Sequence, residues 1–183
     1  MKKIIAIVGL PGSGKTEVIE HLQKKYHLPK VYFGEVTFDE LKKRQLEINE
    51  KNERMVREDL RQKFGNDYYA RKMIEKIKKL NSQNNILVES LYSWPEYLSF
   101  KKAFKNNFII IAVFASPKTR YARLLKRKVR PLTPEITQSR DYAQIENLSQ
   151  GGPIAMADYT IINEGSKKEL LKNAEKIYQK INL

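Results

Sequence analysis

The 183-residue chain has no cysteine. That excludes disulfides and a thiolate zinc site. Its two histidines, His21 and His27, are too few for a histidine metal cluster. Both fall near the end of the first helical stretch and read as surface residues. No apolar run approaches the roughly 18–20 residues that would cross a bilayer. The longest, Phe108 to Ala115, reads as a buried strand. Repeats, low-complexity tracts and linkers are absent, so residues 1–183 read as a single domain. Acidic residues are scarce beside basic ones, 21 against 35, leaving a net charge of +14. Such an excess favours anionic partners: nucleotides, coenzymes or nucleic acid. A membrane is not expected as a partner.

Hydrophobic residues make up 41% of the chain, enough for an ordinary globular core. Residues 9–16 read Gly-Leu-Pro-Gly-Ser-Gly-Lys-Thr, a complete G-x-x-x-x-G-K-[ST] phosphate-binding loop. It follows the apolar run Ile4–Val8 and precedes a helical pattern, the context that gives the motif its meaning. In such a loop the glycines let backbone amides converge on an anion, and the helix behind adds the positive end of its dipole. Gly12, Ser13, Gly14, Lys15 and Thr16 are therefore expected to bind donor phosphates, with Lys15 reaching the β- and γ-phosphates and Thr16 ligating Mg²⁺. Lys2-Lys3 and the apolar run after them do not read as a secretory leader, because cleavage would remove the loop. The expectation is a cytoplasmic protein.

Short apolar runs alternate with longer charged stretches. Strands are expected at 4–8, 31–33, 86–88, 108–114 and 159–162. Helices are expected at about 15–26, 37–80 (two, broken near 64–67), after Pro95, after Ser116-Pro117, at 135–148 and after Ser166. Pro131 to Pro134 and Gly151-Gly152-Pro153 read as breaks. Buried strands alternating with helices indicate an α/β, doubly wound parallel sheet. Its ligand belongs beyond the carboxyl ends of the strands.

Glu89 follows the third strand, where a carboxylate holds Mg²⁺ through water or accepts a proton from the attacking hydroxyl. Glu35 follows the second strand and could bind an acceptor, act as base, or only favour a helix dipole. Arg120, Arg123 and Arg127 share one helical face by their spacing, which reads as lying outside the core. Residues 116–140 carry eight basic and one acidic residue, half of the net charge. With Arg130 and Arg140 they suggest a mobile, cationic lid at about 127–140, and a solvated basic face is the plainer alternative. Tyr92 and Trp94 could stack on a base or simply pack.

The loop at 9–16, Gly34-Glu35, Glu89 and the basic helix together resemble the nucleoside monophosphate kinase class. The stretch Ala157-Asp158-Tyr159-Thr160-Ile161-Ile162-Asn163-Glu164-Gly165-Ser166 looks like the A-D-x-V-I-x-N-x-G stretch of dephospho-CoA kinases. It is also similar to a small P-loop family labelled dephospho-CoA-kinase-like. The resemblance implies a five-stranded parallel sheet in order 2-3-1-4-5, acceptor-side helices at about 35–80, a helical lid, and Mg-ATP as donor. It implies base contacts at Asn163, Glu164 and Gly165, a donor-site role for Arg120, and catalytic roles for Lys15, Glu89, Glu35, Arg123 and Arg127. Related kinases carry acceptor-phosphate arginines where this chain has Phe38 and Tyr92. An acceptor without a phosphate there would need none, and neither would a chain that has lost acceptor kinase activity. The expected function is an ATP-dependent phosphotransferase on a nucleotide-like or coenzyme-like small molecule, as monomer or homodimer. The alternative is a nucleic-acid-associated ATPase or a non-catalytic ATP-binding module.

Overall fold

The computed structural model describes residues 2–128 and 131–182. Five parallel strands form one sheet: β1 (Ile4–Val8), β2 (Lys30–Tyr32), β3 (Ile86–Glu89), β4 (Phe108–Phe114) and β5 (Tyr159–Ile162). Their spatial order is β2-β3-β1-β4-β5, as the resemblance implied. β1 lies at the centre, with Ile7 in register with Glu89 on one side and Ile111 on the other. Every residue of β1 is buried, which explains why it reads as an unbroken apolar run.

Alternate residues of that run feed two cores. Ile4, Ala6 and Val8 face a layer containing Phe33, Leu41, Phe100 and Phe108. Phe100 packs at 5.3 Å from Phe108 and 5.7 Å from Phe33, centroid to centroid. Ile5 and Ile7 face Val18, Leu22, Leu170 and Ala174. Each fully buried aliphatic side chain stabilises the fold by about 1.5–3 kcal/mol.

Nine α-helices lie among the described residues: α1 (Lys15–Tyr26), α2 (Gly34–Lys43), α3 (Glu50–Phe64), α4 (Tyr68–Lys79), α5 (Trp94–Phe104), α6 (Pro117–Leu125), α7 (Pro134–Leu148), α8 (Gly151–Ala155) and α9 (Lys167–Ile181). A short 3₁₀ turn, Lys105–Asn107, precedes β4. Local chemistry fixes several starts. Ser93 with Glu96, and Ser166 with Glu169, form reciprocal capping boxes. Ser116 accepts from the Thr119 amide, and Pro117 sits where the missing N–H costs nothing.

Two expectations need correction. Residues 34–79 hold three helices, not two. The additional break falls at 44–49, where Gln45 adopts φ 55° and the Asn49 side chain caps α3 through the Asn52 amide at 2.9 Å. No glycine or proline marks it. Gly151-Gly152-Pro153 is not a break but the start of α8. A proline in the first turn disrupts no helical bond, and bare Gly152 lets the helix approach the Trp94 ring. His21, partly exposed at the surface, pairs with Glu175 of α9 at 2.6 Å.

Candidate active site

The phosphate loop, residues 9–16, leaves β1 and enters α1. Three of its carbonyls are held by side chains from the C-terminal half of the chain. Gly9 O accepts from Gln150 Nε2 at 3.0 Å, Pro11 O from Arg120 Nη1 at 3.0 Å, and Ser13 O from Asn163 Nδ2 at 2.7 Å. A trans peptide puts its N–H opposite its C=O. The amides of Leu10, Gly12 and Gly14 therefore point the other way, into the loop. The holders stand so close that a Cβ on Gly12 would lie 2.9 Å from Arg120 O, and one on Gly14 would lie 2.5 Å from Asn163 Nδ2. Both glycines also have positive φ, 78° and 104°, which L side chains avoid.

Lys15 Nζ donates to Leu10 O at 3.0 Å. Burial, and then the Arg120 charge, lower its pKa to about 8 against the pull of Glu89 and Asp141. Its ammonium is thus poorly solvated and electrostatically close to Glu89. Thr16, the next residue, is exposed.

Glu89 ends β3 beside Tyr32 in register. Its Oε2 accepts from Lys30 Nζ at 2.6 Å, with only 17% of the Glu89 side chain exposed. Ser90 follows with φ 69°, a strained turn that brings Tyr92 back so that its hydroxyl donates to Ser90 Oγ at 3.0 Å. Burial raises the Tyr92 phenol pKa. Burial also raises that of Tyr32, with Tyr92, Glu89 and Glu53 adding to the rise and Arg57 opposing it. Tyr32 thus feels the charges of Glu89, Glu53 and Arg57. Trp94 stacks on Tyr97 at 4.8 Å and packs against Gly152, so of the two readings offered for it the packing one describes its surroundings. Glu35 is on α2 and pairs with Lys76 of α4. Among the described residues no group of three or more His, Cys, Asp or Glu side chains could hold a metal. Mg²⁺ keeps several waters and takes few protein ligands, so the exposed Thr16 hydroxyl and the Glu89 carboxylate are donor types that would suffice for it.

The arginines do not share one environment. Arg120 is 3% exposed and sits in the core, correcting the expectation from spacing. Its guanidinium is engaged by Asp141 of α7 at 3.0 and 2.6 Å and by Ala115 O at 3.1 Å. Leu125, on the same helix, is half exposed. Arg123 reaches Asn163 Oδ1 at 3.4 Å and Gly165 O at 3.5 Å. Arg127 is exposed. Arg140 pairs with Glu50 of α3 at 3.0 Å. Arg130 and part of the expected lid lie outside the described residues.

The turn after β5 meets the start of α6. Glu164 accepts from the Ser116 amide and the Thr119 hydroxyl, and these bonds hold its pKa below the usual carboxylate range. Asn163 is buried under the loop, its amide nitrogen on Ser13 O. Beside them a groove of about 760 Å³ is lined by Thr119, Ala122, Arg123, Lys126 and Glu164. The structure thus brings Lys15, Arg120, Arg123 and Asn163 to the loop and its edge, and Glu89 to its rim. Glu35 is engaged by Lys76 of α4.

Sequence reasoning missed Asp141, Gln150, Lys30, Tyr32 and Arg57. Asp141 falls one position past the basic stretch 116–140, which drew attention only for its cations. Gln150 precedes a Gly-Gly-Pro read as a break. Arg57 lies in a charged helix with no motif; its i−4 neighbour Glu53 was the one available signal.

The family model described as an AAA domain, AAA_18, matches residues 5–148. A UPF0200 protein of Thermococcus kodakarensis is 34% identical over 182 residues, covering 97% of each chain. One from Methanocaldococcus jannaschii is 35% identical over 181 residues, covering 97% of this chain and 90% of the other. A gluconokinase from Sinorhizobium meliloti 1021 superposes with a TM-score of 0.59 at 14% identity, over 97% of both chains. Shikimate kinase from Acinetobacter baumannii, solved with shikimate, gives 0.58 at 18% identity, over 99% of this chain and 93% of its own. At those identities the likeness shows the fold, a P-loop kinase fold. Together with the carbonyl-held loop at residues 9–16, the matched length and the shared identity establish that the protein belongs to the AAA-domain family AAA_18 and to the UPF0200 proteins.

Proposed function

We propose that this protein is an ATP-dependent phosphotransferase acting on a nucleotide-like or coenzyme-like small molecule. One observation carries the reading: Gln150, Arg120 and Asn163 hold the loop carbonyls at residues 9, 11 and 13. A loop braced in that way keeps its amides preorganised for anions, and preorganised donors are the main source of phosphoryl-transfer catalysis. The kinase fold of the structural neighbours supports the same reading.

In this scheme amides of residues 12–16 bind the donor phosphates, and Lys15 exchanges Leu10 O for β- and γ-oxygens. Thr16 would hold Mg²⁺ directly and Glu89 through water; the ion supplies charge neutralisation. Glu164 lines the groove offered to the base, and Asn163 and Gly165 stand next to it against Arg123. Arg120 serves the donor site through Pro11. The acceptor enters beside Tyr32, Tyr92 and Arg57, with Glu35 reaching it from α2. Its oxygen attacks the γ-phosphorus, and a new P–O bond forms as the bond to the β,γ-bridging oxygen breaks. ADP leaves with the electron pair, and a hydroxyl proton passes to Glu89 or Glu35. Arg123, Arg127 and Arg140 supply positive charge to the phosphates, Arg127 on closure.

A screen of hydroxyl- and phosphate-bearing acceptors with coupled ADP detection tests the scheme. Acceptor-dependent ADP release, abolished by Lys15→Ala, is expected. ADP release indifferent to every acceptor would make the protein an ATPase. Binding of ATP without ADP release would make it a binding module.

A further inference from the structure

In a parallel α/β sheet every strand begins at the end opposite the phosphate loop, and the helix before each strand ends there too. In this chain that end is covered with lysine. Residues 2–3, 77–85 and 100–107 contribute Lys2, Lys3, Lys78, Lys79, Lys101, Lys102 and Lys105 and no acidic residue; at the start of β5 the Asp158 carboxylate is taken by the Ile110 amide at 2.7 Å. Direct contacts join these segments into one surface. Lys2 Nζ donates to Leu80 O at 3.3 Å and Ser82 O at 3.2 Å, at the end of α4. Lys3 Nζ donates to Asn106 O at 3.3 Å and Asn107 Oδ1 at 3.5 Å, in the turn after α5. The Lys3 amide donates to Asn85 Oδ1 at 2.7 Å.

Lysines at the last turn of α4 and α5 complement the helix dipoles, a contribution of about 0.3–1 kcal/mol each. That accounts for four of the seven. It leaves Lys2, Lys3 and Lys105, and it does not explain the missing acids. Elsewhere the chain pairs its cations freely, as in Arg44 with Glu40 and Asp59. Here Lys78, Lys79, Lys101, Lys102 and Lys105 are exposed and have no ion-pair partner among the described residues. Like charges gathered without counter-charge repel one another, and a polyanion would relieve that repulsion. Between the lysines lie exposed amides, Asn81, Gln83, Asn84 and Asn106, which both donate and accept hydrogen bonds. None of the exposed large hydrophobic side chains of the described residues belongs to these segments. A lipid surface calls for such side chains to insert; a phosphate backbone calls for cations and amides.

We infer that this lysine-covered end is a nucleic-acid-binding surface, recognising phosphates without dependence on the nucleotide site at the other end. It is independent of the kinase reading and of the arginines in residues 116–140.

The test uses fluorescence anisotropy of a labelled 20-nucleotide oligo-uridine RNA and its DNA counterpart, with the full chain, at 50 and 200 mM salt. Neutralising about four phosphates gives a slope near −3 in log K against log salt, so binding should weaken by about 50-fold over that range. Lys101→Glu, Lys102→Glu and Lys105→Glu together should weaken binding at least about tenfold. Lys78→Glu with Lys79→Glu should do the same, and Lys118→Glu with Lys126→Glu, at the opposite end, should change it little. ATP affinity and thermal midpoint of the Lys101/Lys102/Lys105 and Lys78/Lys79 variants should stay as in the parent. Saturating ATP should not displace the oligonucleotide. The inference is overturned if the parent does not bind at 50 mM salt, or if only the Lys118/Lys126 pair matters. It is also overturned if ATP competes, or if vesicles rich in anionic lipid capture the protein while the oligonucleotides do not.

Discussion

The guanidinium of Arg120 meets the carboxylate of Asp141 edge to edge, Nη1 to Oδ1 at 3.0 Å and Nη2 to Oδ2 at 2.6 Å, with both residues 3% exposed. The same Nη1 holds Pro11 O, so the pair ties α7 to the phosphate loop. Removing one partner leaves an unpaired charge in the core, a loss of about 3–5 kcal/mol. Asp141→Ala should therefore lower the urea unfolding free energy by that amount and weaken ATP binding. Asp141→Asn, which keeps the shape and an acceptor, should lose less. Equal stability of parent and Asp141→Ala in urea titrations would contradict this account of the clamp.

Nucleotide binding should take up a proton in mild alkali. The Lys15 pKa is lowered to about 8 by burial and the Arg120 charge, and anionic phosphate oxygens beside the ammonium raise it again. Below pH 8 Lys15 is charged before and after binding, and pH has no effect through it. Between about 8 and the ordinary lysine value the free protein must gain a proton to bind, so affinity falls as pH rises. Calorimetry at pH 8.5 in buffers of differing ionisation enthalpy should show net proton uptake, absent in Lys15→Met.

The Lys30–Glu89 pair at 2.6 Å orients the carboxylate that ends β3. Glu89→Gln should cut the turnover rate by roughly 10²-fold or more, the usual scale of a positioned acid or base, with ATP affinity kept within about tenfold. Lys30→Met should produce a smaller fall in kcat with KM for ATP little changed, because Lys30 acts through Glu89. Steady-state kinetics with the acceptor from the screen separates the two.

Arg123 and Arg127 should part company. Arg123 lies against Asn163 and Gly165 and Arg127 is exposed. Arg123→Ala should raise KM for ATP by loosening the edge of the groove. Arg127→Ala should lower kcat with KM unchanged if its charge acts only at closure, since an interaction made only in the transition state affects kcat. A shift in KM alone for Arg127→Ala would remove it from the closing segment.

Much of the molecule was legible beforehand because its signals are local. An unbroken apolar run, a glycine-rich loop and a capped helix each follow from neighbours in sequence, so β1, the phosphate loop, Lys15 and the start of α9 were readable from residues alone. Glu89 was readable because it ends a strand beside that loop. The break before α3 was not, since Asn49 caps a helix without any glycine or proline to announce it.

What the chain order determined by itself is the parallel α/β architecture and the phosphate loop, because strand–loop–helix alternation and glycine conformation are short-range effects. Only the tertiary structure decided what braces that loop. Gln150, Arg120 and Asn163 come from three elements more than a hundred residues downstream, and helical spacing placed Arg120 on an outer face. Its burial depends on Asp141, brought against it by the packing of α7 on α6. A buried charge is stable only where a partner arrives from elsewhere in the fold, and periodicity along one helix carries no information about that partner.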